Sequence, residues 1–179
     1  MAAESTMVPL GTALPRFALP DLDGVTVTSD GFAGAPLLVA FLCNHCPYVK
    51  HVEAGLADLL TRTPALAVVG ICSNDAAAYP ADDVAGLREQ VARAGWAFPY
   101  LVDHTQEVGR EFGAACTPDF FLYDGTGALA YRGAMDASTP GNGLPVTGES
   151  LGEAIRLVLD GQPVPEPHRP SMGCSIKWR

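Results

Sequence analysis

The spacing of apolar residues predicts alternating strands and helices along most of the chain. Continuous apolar runs are typical of strands buried on both faces of a sheet, and they occur at residues 36–42, 66–72 and 98–102. Apolar residues at intervals of three and four predict amphipathic helices that begin at Pro47, at Asp82-Asp83 and after a Ser150 cap, with a shorter helix at 106–112. The central part of the chain therefore has a strand–helix alternation.

Two β-hairpins are predicted on either side of this alternation. Residues 15–19 and 25–28 flank the turn dipeptide Asp23-Gly24, and residues 119–123 and 128–132 flank an Asp-Gly-Thr-Gly loop. The order is then β-hairpin, β-α-β-α-β-α, β-hairpin and a closing helix. This order predicts one α/β domain with a mixed central sheet flanked by helices, over residues 1–162.

A proline-rich tail follows at residues 163–179. It ends in P-S-M-G-C-S-I-K-W-R, in which Ile176 and Trp178 are apolar anchors. We expect the tail to dock on the domain, because exposed apolar side chains of this size are seldom left in solvent.

Composition and charge limit the classes of function that this chain can have. The chain has 179 residues, 48% of them hydrophobic and 17% charged, which suffices for one substantial core. The net charge of −9 disfavours nucleic acid or an anionic membrane as a partner. The apolar stretch at residues 35–43 is about half as long as a bilayer-spanning helix. Residues 1–15 lack a basic leader and an apolar segment, so we expect a cytoplasmic protein.

Candidate chemistry lies at a cysteine pair, Cys43 and Cys46, in the segment F-L-C-N-H-C-P-Y. The five cysteines are an odd number in a chain with an adequate core, which does not indicate a disulfide-stapled scaffold. The pair lies between a buried strand and a helix that begins at Pro47, where backbone N–H groups favour a thiolate. Two intervening residues suit a redox disulfide or half of a metal site. His45 between them is predicted to lower the pKa of the nucleophilic thiol.

Several motifs resemble those of the thioredoxin superfamily, in its peroxiredoxin-like (AhpC/TSA and thioredoxin-like reductase) branch. They are the lead-in G-T-A-L-P-R-F-A-L-P-D-L-D-G, the C-N-H-C-P segment, the step Thr117-Pro118, and Tyr131-Arg132-Gly133. The resemblance implies a thioredoxin-like fold with an N-terminal β-hairpin extension. It also implies a cis Pro118 facing the cysteine pair, Thr117 backbone groups that hold an extended substrate, and Arg132 beside the thiolate.

The sequence departs from its relatives around the pair. Leu42 stands where thioredoxins usually have tryptophan, and Asn44-His45 replaces their Gly-Pro. Alignment on Cys-Pro puts Cys46 at the peroxidatic position of peroxiredoxins and Cys43 in place of their threonine. Of the other thiols, Cys116 and Cys174 are candidate resolving cysteines, and Cys72 is expected to be a core residue.

Three functions remain open at this point. The first is a thiol–disulfide oxidoreductase in which Cys43 attacks a protein disulfide and Cys46 releases it, with a thiol as electron donor. The second is a thiol peroxidase that reduces hydroperoxides. Neither needs a cofactor, and the oligomeric state is left open.

The third function is a copper- or zinc-binding protein. The cysteine pair would hold the soft metal with an imidazole from His45, His51 or His104. A second C-x-x-C motif is absent from the sequence, so a closed structural zinc site is not expected.

Overall fold

The computed structural model describes residues 2–179, over which strands and helices alternate. The strands are β1 (Ala2–Glu4), β2 (Ala18–Pro20), β3 (Thr26–Thr28), β4 (Leu37–Phe41), β5 (Ala67–Cys72), β6 (Tyr100–Val102), β7 (Cys116–Thr117), β8 (Asp119–Tyr123), β9 (Leu129–Gly133) and β10 (Met172–Ser175). The helices are α1 (Pro47–Thr61), α2 (Val84–Ala94), α3 (Glu107–Glu111) and α4 (Glu149–Leu159), with 3-10 turns at Ser29–Phe32 and Pro80–Asp82. None of the helices within residues 2–179 is long and apolar enough to cross a bilayer.

The central sheet is mixed, as the order of elements predicts. Its strand order is β6-β5-β4-β8-β9. The pairs β4–β5 and β5–β6 are parallel, and the pairs β4–β8 and β8–β9 are antiparallel. The N-terminal hairpin β2–β3 is also present. The predicted fold class is therefore confirmed.

Both faces of the sheet are buried, which explains the continuous apolar runs. Along β4, Leu38 and Ala40 pack on one face with residues of α1, α2 and α4. Leu37, Val39 and Phe41 pack on the other face with α3 and the N-terminal hairpin. Because successive side chains of a strand point to opposite faces, a strand covered on both sides needs apolar residues throughout.

Two helix starts differ from the predicted ones. Helix α2 begins at Val84 with Asp83 alone as its cap, since the Asp83 carboxylate accepts the Gly86 N–H at 2.8 Å. Val84, its first residue, is 36% exposed. Helix α4 follows Gly148, whose left-handed backbone (φ 67°) makes the turn, so Ser150 lies within the first turn and is not the cap. Glycine adopts this conformation without the steric cost that serine has.

The C-terminal tail forms a short sheet of its own beside the central one. Strand β10 lies between β1 and β7 and is antiparallel to both, with Cys174 opposite Ala2 on one side and Thr117 on the other. Ile176 is buried, and the Arg110 guanidinium lies 4.4 Å from the Trp178 ring centroid. The tail thus lies against the strand that precedes Pro118.

Candidate redox site

The cysteine pair lies at the junction of β4 and α1, where the sequence places it. Cys46 is the N-cap residue of α1 and Pro47 its first helical residue. Both thiols contact Thr117. Cys43 Sγ lies 3.1 Å from Thr117 Oγ1, and the Thr117 carbonyl oxygen accepts the Cys46 thiol at 3.2 Å. The Thr117–Pro118 peptide bond is cis. The fold therefore brings together the C-x-x-C and Thr-Pro segments, which are 71 residues apart or more.

The hydrogen bond between the thiols makes their acidities unequal. It lowers the pKa of Cys46. Hydrogen bonds from Cys174 and from the Val49 amide lower that pKa further, whereas burial raises it. The same hydrogen bond raises the pKa of Cys43, and burial and the nearby Asp82 charge add to that increase. A thiolate at the start of α1 is also favoured by the helix dipole. The lower pKa of the two thiols is thus that of Cys46, although only its protonated form donates to the Thr117 carbonyl oxygen, and the sequence-based expectation was attack by Cys43.

The buried carboxylate of Asp82 holds the turn that carries the pair. Its Oδ1 accepts the backbone N–H groups of Asn44 at 2.8 Å and of His45 at 3.0 Å. Its Oδ2 accepts the Asn74 side-chain amide at 2.8 Å. The Asp82 side chain has no exposed surface. Sequence reasoning took Asp82 only as part of a helix cap, because no local pattern connects it with the cysteine turn.

His45 is bound to Asp82 and not to a sulfur. Its Nδ1 lies 2.5 Å from Asp82 Oδ2, and its ring stacks on Tyr79 with centroids 5.0 Å apart. The hydrogen bond to Asp82 gives His45 a structural role in the turn, and its role in lowering a thiol pKa stays a prediction.

The three atoms Cys43 Sγ, a His45 ring nitrogen and an Asp82 carboxylate oxygen lie within 4.8 Å of one another. Within residues 2–179 this is the one group of three possible metal ligands that lie this close together. It contains Asp82, whereas the metal hypothesis named Cys46 as the ligand beside Cys43 and a histidine. The other two candidate imidazoles are elsewhere: His51 Nε2 bonds Ser138 Oγ at 2.7 Å, and His104 lies in the loop after β6. The His45–Asp82 hydrogen bond accounts for the close approach of the imidazole and the carboxylate.

Side chains of α2 fix the same turn from the other side. Gln90 donates to the Cys43 carbonyl oxygen at 3.0 Å, and Arg93 donates to Asn44 Oδ1 at 2.8 Å. Arg93 also forms a bidentate ion pair with the buried Glu53 of α1, at 2.7 and 3.0 Å. Bidentate pairs of this kind restrain geometry strongly. The C-N-H-C segment is therefore held rigidly between α1 and α2.

Arg132 does not lie at the thiolate, contrary to the expectation from the resemblance. Its Nε donates to the Val8 carbonyl oxygen at 2.9 Å, and its Nη1 lies 2.9 Å from both Glu166 Oε1 and His168 Nδ1. In the β8–β9 register Arg132 is opposite Phe121, which belongs to the apolar cluster on the face away from the cysteine pair. Because strand side chains alternate between faces, Tyr131 takes the thiol side and Arg132 the other.

The two candidate resolving thiols are placed differently. Cys174 is partly exposed and lies opposite Thr117, which both thiols of the pair contact, and a hydrogen bond from it is among the causes of the low Cys46 pKa. The buried Cys116 thiol faces the carbonyl oxygens of Pro118 and Ser171, at 3.6 and 3.9 Å, and burial raises its pKa strongly. Burial raises the pKa of Cys72 to about 12, as expected for a core thiol. Of these thiols, Cys174 makes the hydrogen bond to the pair.

Asp119, directly after Pro118, is another buried carboxyl that the sequence did not single out. It accepts the Ser5 hydroxyl at 2.6 Å and so ties the N-terminal segment to β8. Burial raises its pKa to about 7. The native protein thus keeps a proton on Asp119 at pH values where the unfolded chain, with an aspartate pKa of about 3.9, has lost it.

This difference predicts a pH-dependent stability. The free energy of unfolding should fall as the pH rises from about 4 to about 7, by up to about 4 kcal/mol, because the native state binds the extra proton in that range. Urea unfolding at several pH values measures it. Asp119→Asn should flatten the dependence, and Asp58→Asn, at an exposed position of α1, should not. An Asp119→Asn protein with the wild-type pH slope would contradict the assignment.

Comparisons with known proteins agree with the fold. The model of the AhpC/TSA family matches residues 10–132. An uncharacterized conserved protein from Geobacillus kaustophilus is 45% identical over 100% of this chain and 97% of that chain, with a TM-score of 0.96. A hypothetical protein from Sinorhizobium meliloti 1021 is 44% identical over 98% of each chain, with a TM-score of 0.95.

A more distant structure shares the fold alone. The thioredoxin domain of a thiol-disulfide oxidoreductase from Bacteroides vulgatus is 14% identical over 83% of this chain and 99% of that chain, with a TM-score of 0.63. A search of curated proteins found no match. The fold is thioredoxin-like, and because the family model spans well over half of the sequence, the chain belongs to the AhpC/TSA family.

Proposed function

We propose that this protein is a thiol–disulfide oxidoreductase in which Cys46 is the nucleophile and Cys43 closes the disulfide. The observation that carries the proposal is the position of Cys46 at the N-cap of α1, with the Cys43 and Cys46 thiols both against Thr117. The lowered pKa of Cys46 agrees with it. A thiolate is the attacking species in disulfide exchange, and a second thiol within hydrogen-bond distance is placed to complete it.

The reaction then has two exchange steps. The Cys46 thiolate forms a bond to one sulfur of a substrate disulfide, and the other substrate sulfur leaves as a thiolate. Cys43, after losing its proton to that leaving group or to water, bonds to Cys46 Sγ and releases the remaining substrate thiolate. The substrate disulfide is reduced, the cysteine pair is oxidised, and an external thiol donor restores the pair. Thr117 Oγ1 favours the Cys43 thiolate needed in the second step.

A thiol peroxidase is the second candidate, favoured by the family match and by the thiolate at Cys46. Two features weaken it. Arg132 is bound to Glu166 and cannot stabilise a peroxide oxygen at the pair while it is there. Cys43 occupies the position at which peroxiredoxins have threonine, so the pair has a second thiol instead of a hydroxyl. Disulfide exchange is therefore the better-supported function.

Reaction with oxidised glutathione and with hydrogen peroxide distinguishes the two candidates. Stopped-flow mixing of the reduced protein with oxidised glutathione should give a Cys43–Cys46 disulfide, because the pair supplies both the attacking thiol and the thiol that closes the bond. Hydrogen peroxide should react no faster with the protein than with free cysteine. A fast peroxide reaction would favour the peroxidase, and slow reaction with both oxidants would contradict both candidates.

A further inference from the structure

The cysteine pair is closed off from solvent, although exchange needs access to it. Cys43 and Cys46 both have no exposed surface. Part of the cover is strand β10, whose Cys174 is opposite Thr117 in the β10–β7 register. A substrate for the pair must therefore displace part of this cover or react through a thiol that belongs to it.

Strand β10 fits closely against the Thr117–Pro118 peptide. A Cβ at Gly173 would lie 2.0 Å from the Thr117 carbonyl oxygen and 3.1 Å from Pro118 N, so a larger residue cannot lie there without a shift of the backbone. Cys174 follows directly and lies opposite Thr117, whose carbonyl oxygen accepts the Cys46 thiol. Backbone pairing with a strand edge is how many extended peptides are bound. The tail thus lies on the pair as a bound cysteine-containing peptide would.

We propose that Cys174 is a third redox thiol, which relays disulfide exchange between external thiols or disulfides and the buried cysteine pair. This inference rests on the proposed function. Cys174 is the partly exposed thiol of the three, so an external disulfide reaches it first. Cys174 packs against the apolar cluster that contains Cys43 and Cys46, and it shares with Cys46 the neighbour Thr117.

The relay needs no reactant beyond the substrate. The Cys174 thiolate bonds to one sulfur of the external disulfide, and the other sulfur leaves as a thiolate. The Cys46 thiolate bonds to Cys174 Sγ and expels the second substrate thiolate. Cys43 then bonds to Cys46 Sγ and expels Cys174, which takes up a proton. Two electrons pass from the cysteine pair to the substrate, and the reverse sequence oxidises an external dithiol.

The charges around Cys174 make its reactivity depend on the redox state of Cys46. Burial and the neighbouring Cys46 thiolate raise the pKa of Cys174 to about 11, and Lys177 lowers it. When Cys46 enters a disulfide its charge disappears, and this cause of the raised pKa is lost. Cys174 therefore becomes more reactive in the oxidised protein, when it must attack Cys46 in the reverse sequence.

The Cys43→Ser variant tests whether Cys46 and Cys174 exchange. It is treated with oxidised glutathione, its remaining thiols are alkylated in denaturant, and its disulfides are mapped by mass. A Cys46–Cys174 disulfide, with both halves of the oxidant released as glutathione, supports the relay. Glutathione retained on Cys46 or on Cys174, with the other thiol alkylated, overturns it. The Cys43→Ser/Cys116→Ser protein is the matched control and should give the same bond, because Cys116 faces carbonyl oxygens and not the pair.

The Cys174→Ser variant tests the relay separately from the proposed function. Formation of the Cys43–Cys46 disulfide by oxidised glutathione should slow by at least about tenfold, because direct access to Cys46 is blocked. If this variant keeps the wild-type rate, the relay is wrong but exchange at the pair stands. If neither the variant nor the wild type forms the disulfide, the proposed function fails and the relay with it. Cys174→Ala serves as a second variant should the serine protein fold poorly.

Discussion

Replacing Cys46 with serine is expected to slow disulfide formation within the protein by at least about 1000-fold, because covalent catalysis ends when its nucleophile is removed. Cys46 is the thiol that both neighbouring thiols contact, so neither of the others can replace it. The rate is measured with oxidised glutathione, by quenching and mapping the protein disulfides. A Cys46→Ser protein that still forms a Cys43–Cys174 disulfide at the wild-type rate would contradict this role.

Changes at Cys43 provide the control for the assignment of the thiolate. Cys43→Ala removes the hydrogen-bond donor that is the largest cause of the low Cys46 pKa, so that pKa should rise towards its ordinary value. Cys43→Ser keeps a hydroxyl at the same place and should preserve more of the shift. Ultraviolet absorbance of the thiolate during a pH titration measures both. Equal titration of Cys46 in the two variants would show that the thiol–thiol hydrogen bond is not the cause.

Asp82→Ala is expected to lower the free energy of unfolding by about 3–5 kcal/mol. The substitution removes the acceptor of two backbone N–H groups in the cysteine turn and of the Asn74 amide, and it leaves them buried without a partner. The His45 ring also loses its hydrogen bond. Urea unfolding at neutral pH measures the loss. Exchange activity should fall as well, because the turn that positions Cys43 and Cys46 loses its support.

The adjacent Asp83 provides a matched control for Asp82. Asp83 caps α2 with one hydrogen bond to the Gly86 N–H, so Asp83→Ala should cost only about 1 kcal/mol and leave exchange activity near that of the wild type. The two aspartates differ in the number of buried donors that they satisfy. If Asp82→Ala cost no more than Asp83→Ala, the assigned role of Asp82 in the turn would be wrong.

The site shows where sequence reasoning reached its limit. The position of Cys46 before Pro47 follows from the sequence, but the choice of nucleophile does not. That choice depends on which thiol receives hydrogen bonds, and Cys174, one of the donors, is 128 residues away along the chain. Asp82 and Arg132 are two further cases, one of a role that was not predicted and one of a predicted position that was not found. Asp82 has a role that no local pattern predicts, and Arg132 is turned away from the site that the resemblance implies.

By itself the sequence determined the order of strands and helices, the burial of both sheet faces and the cysteine pair at the start of α1. These features depend on hydrophobic periodicity and on helix-start residues, which act over a few neighbouring positions. Only the tertiary structure decided the pairing of the tail with β7, the support of the turn by Asp82 and the contact of Cys174 with Cys46. Each of these is a contact between distant segments, set by how the elements pack, and packing leaves no local pattern in a single sequence.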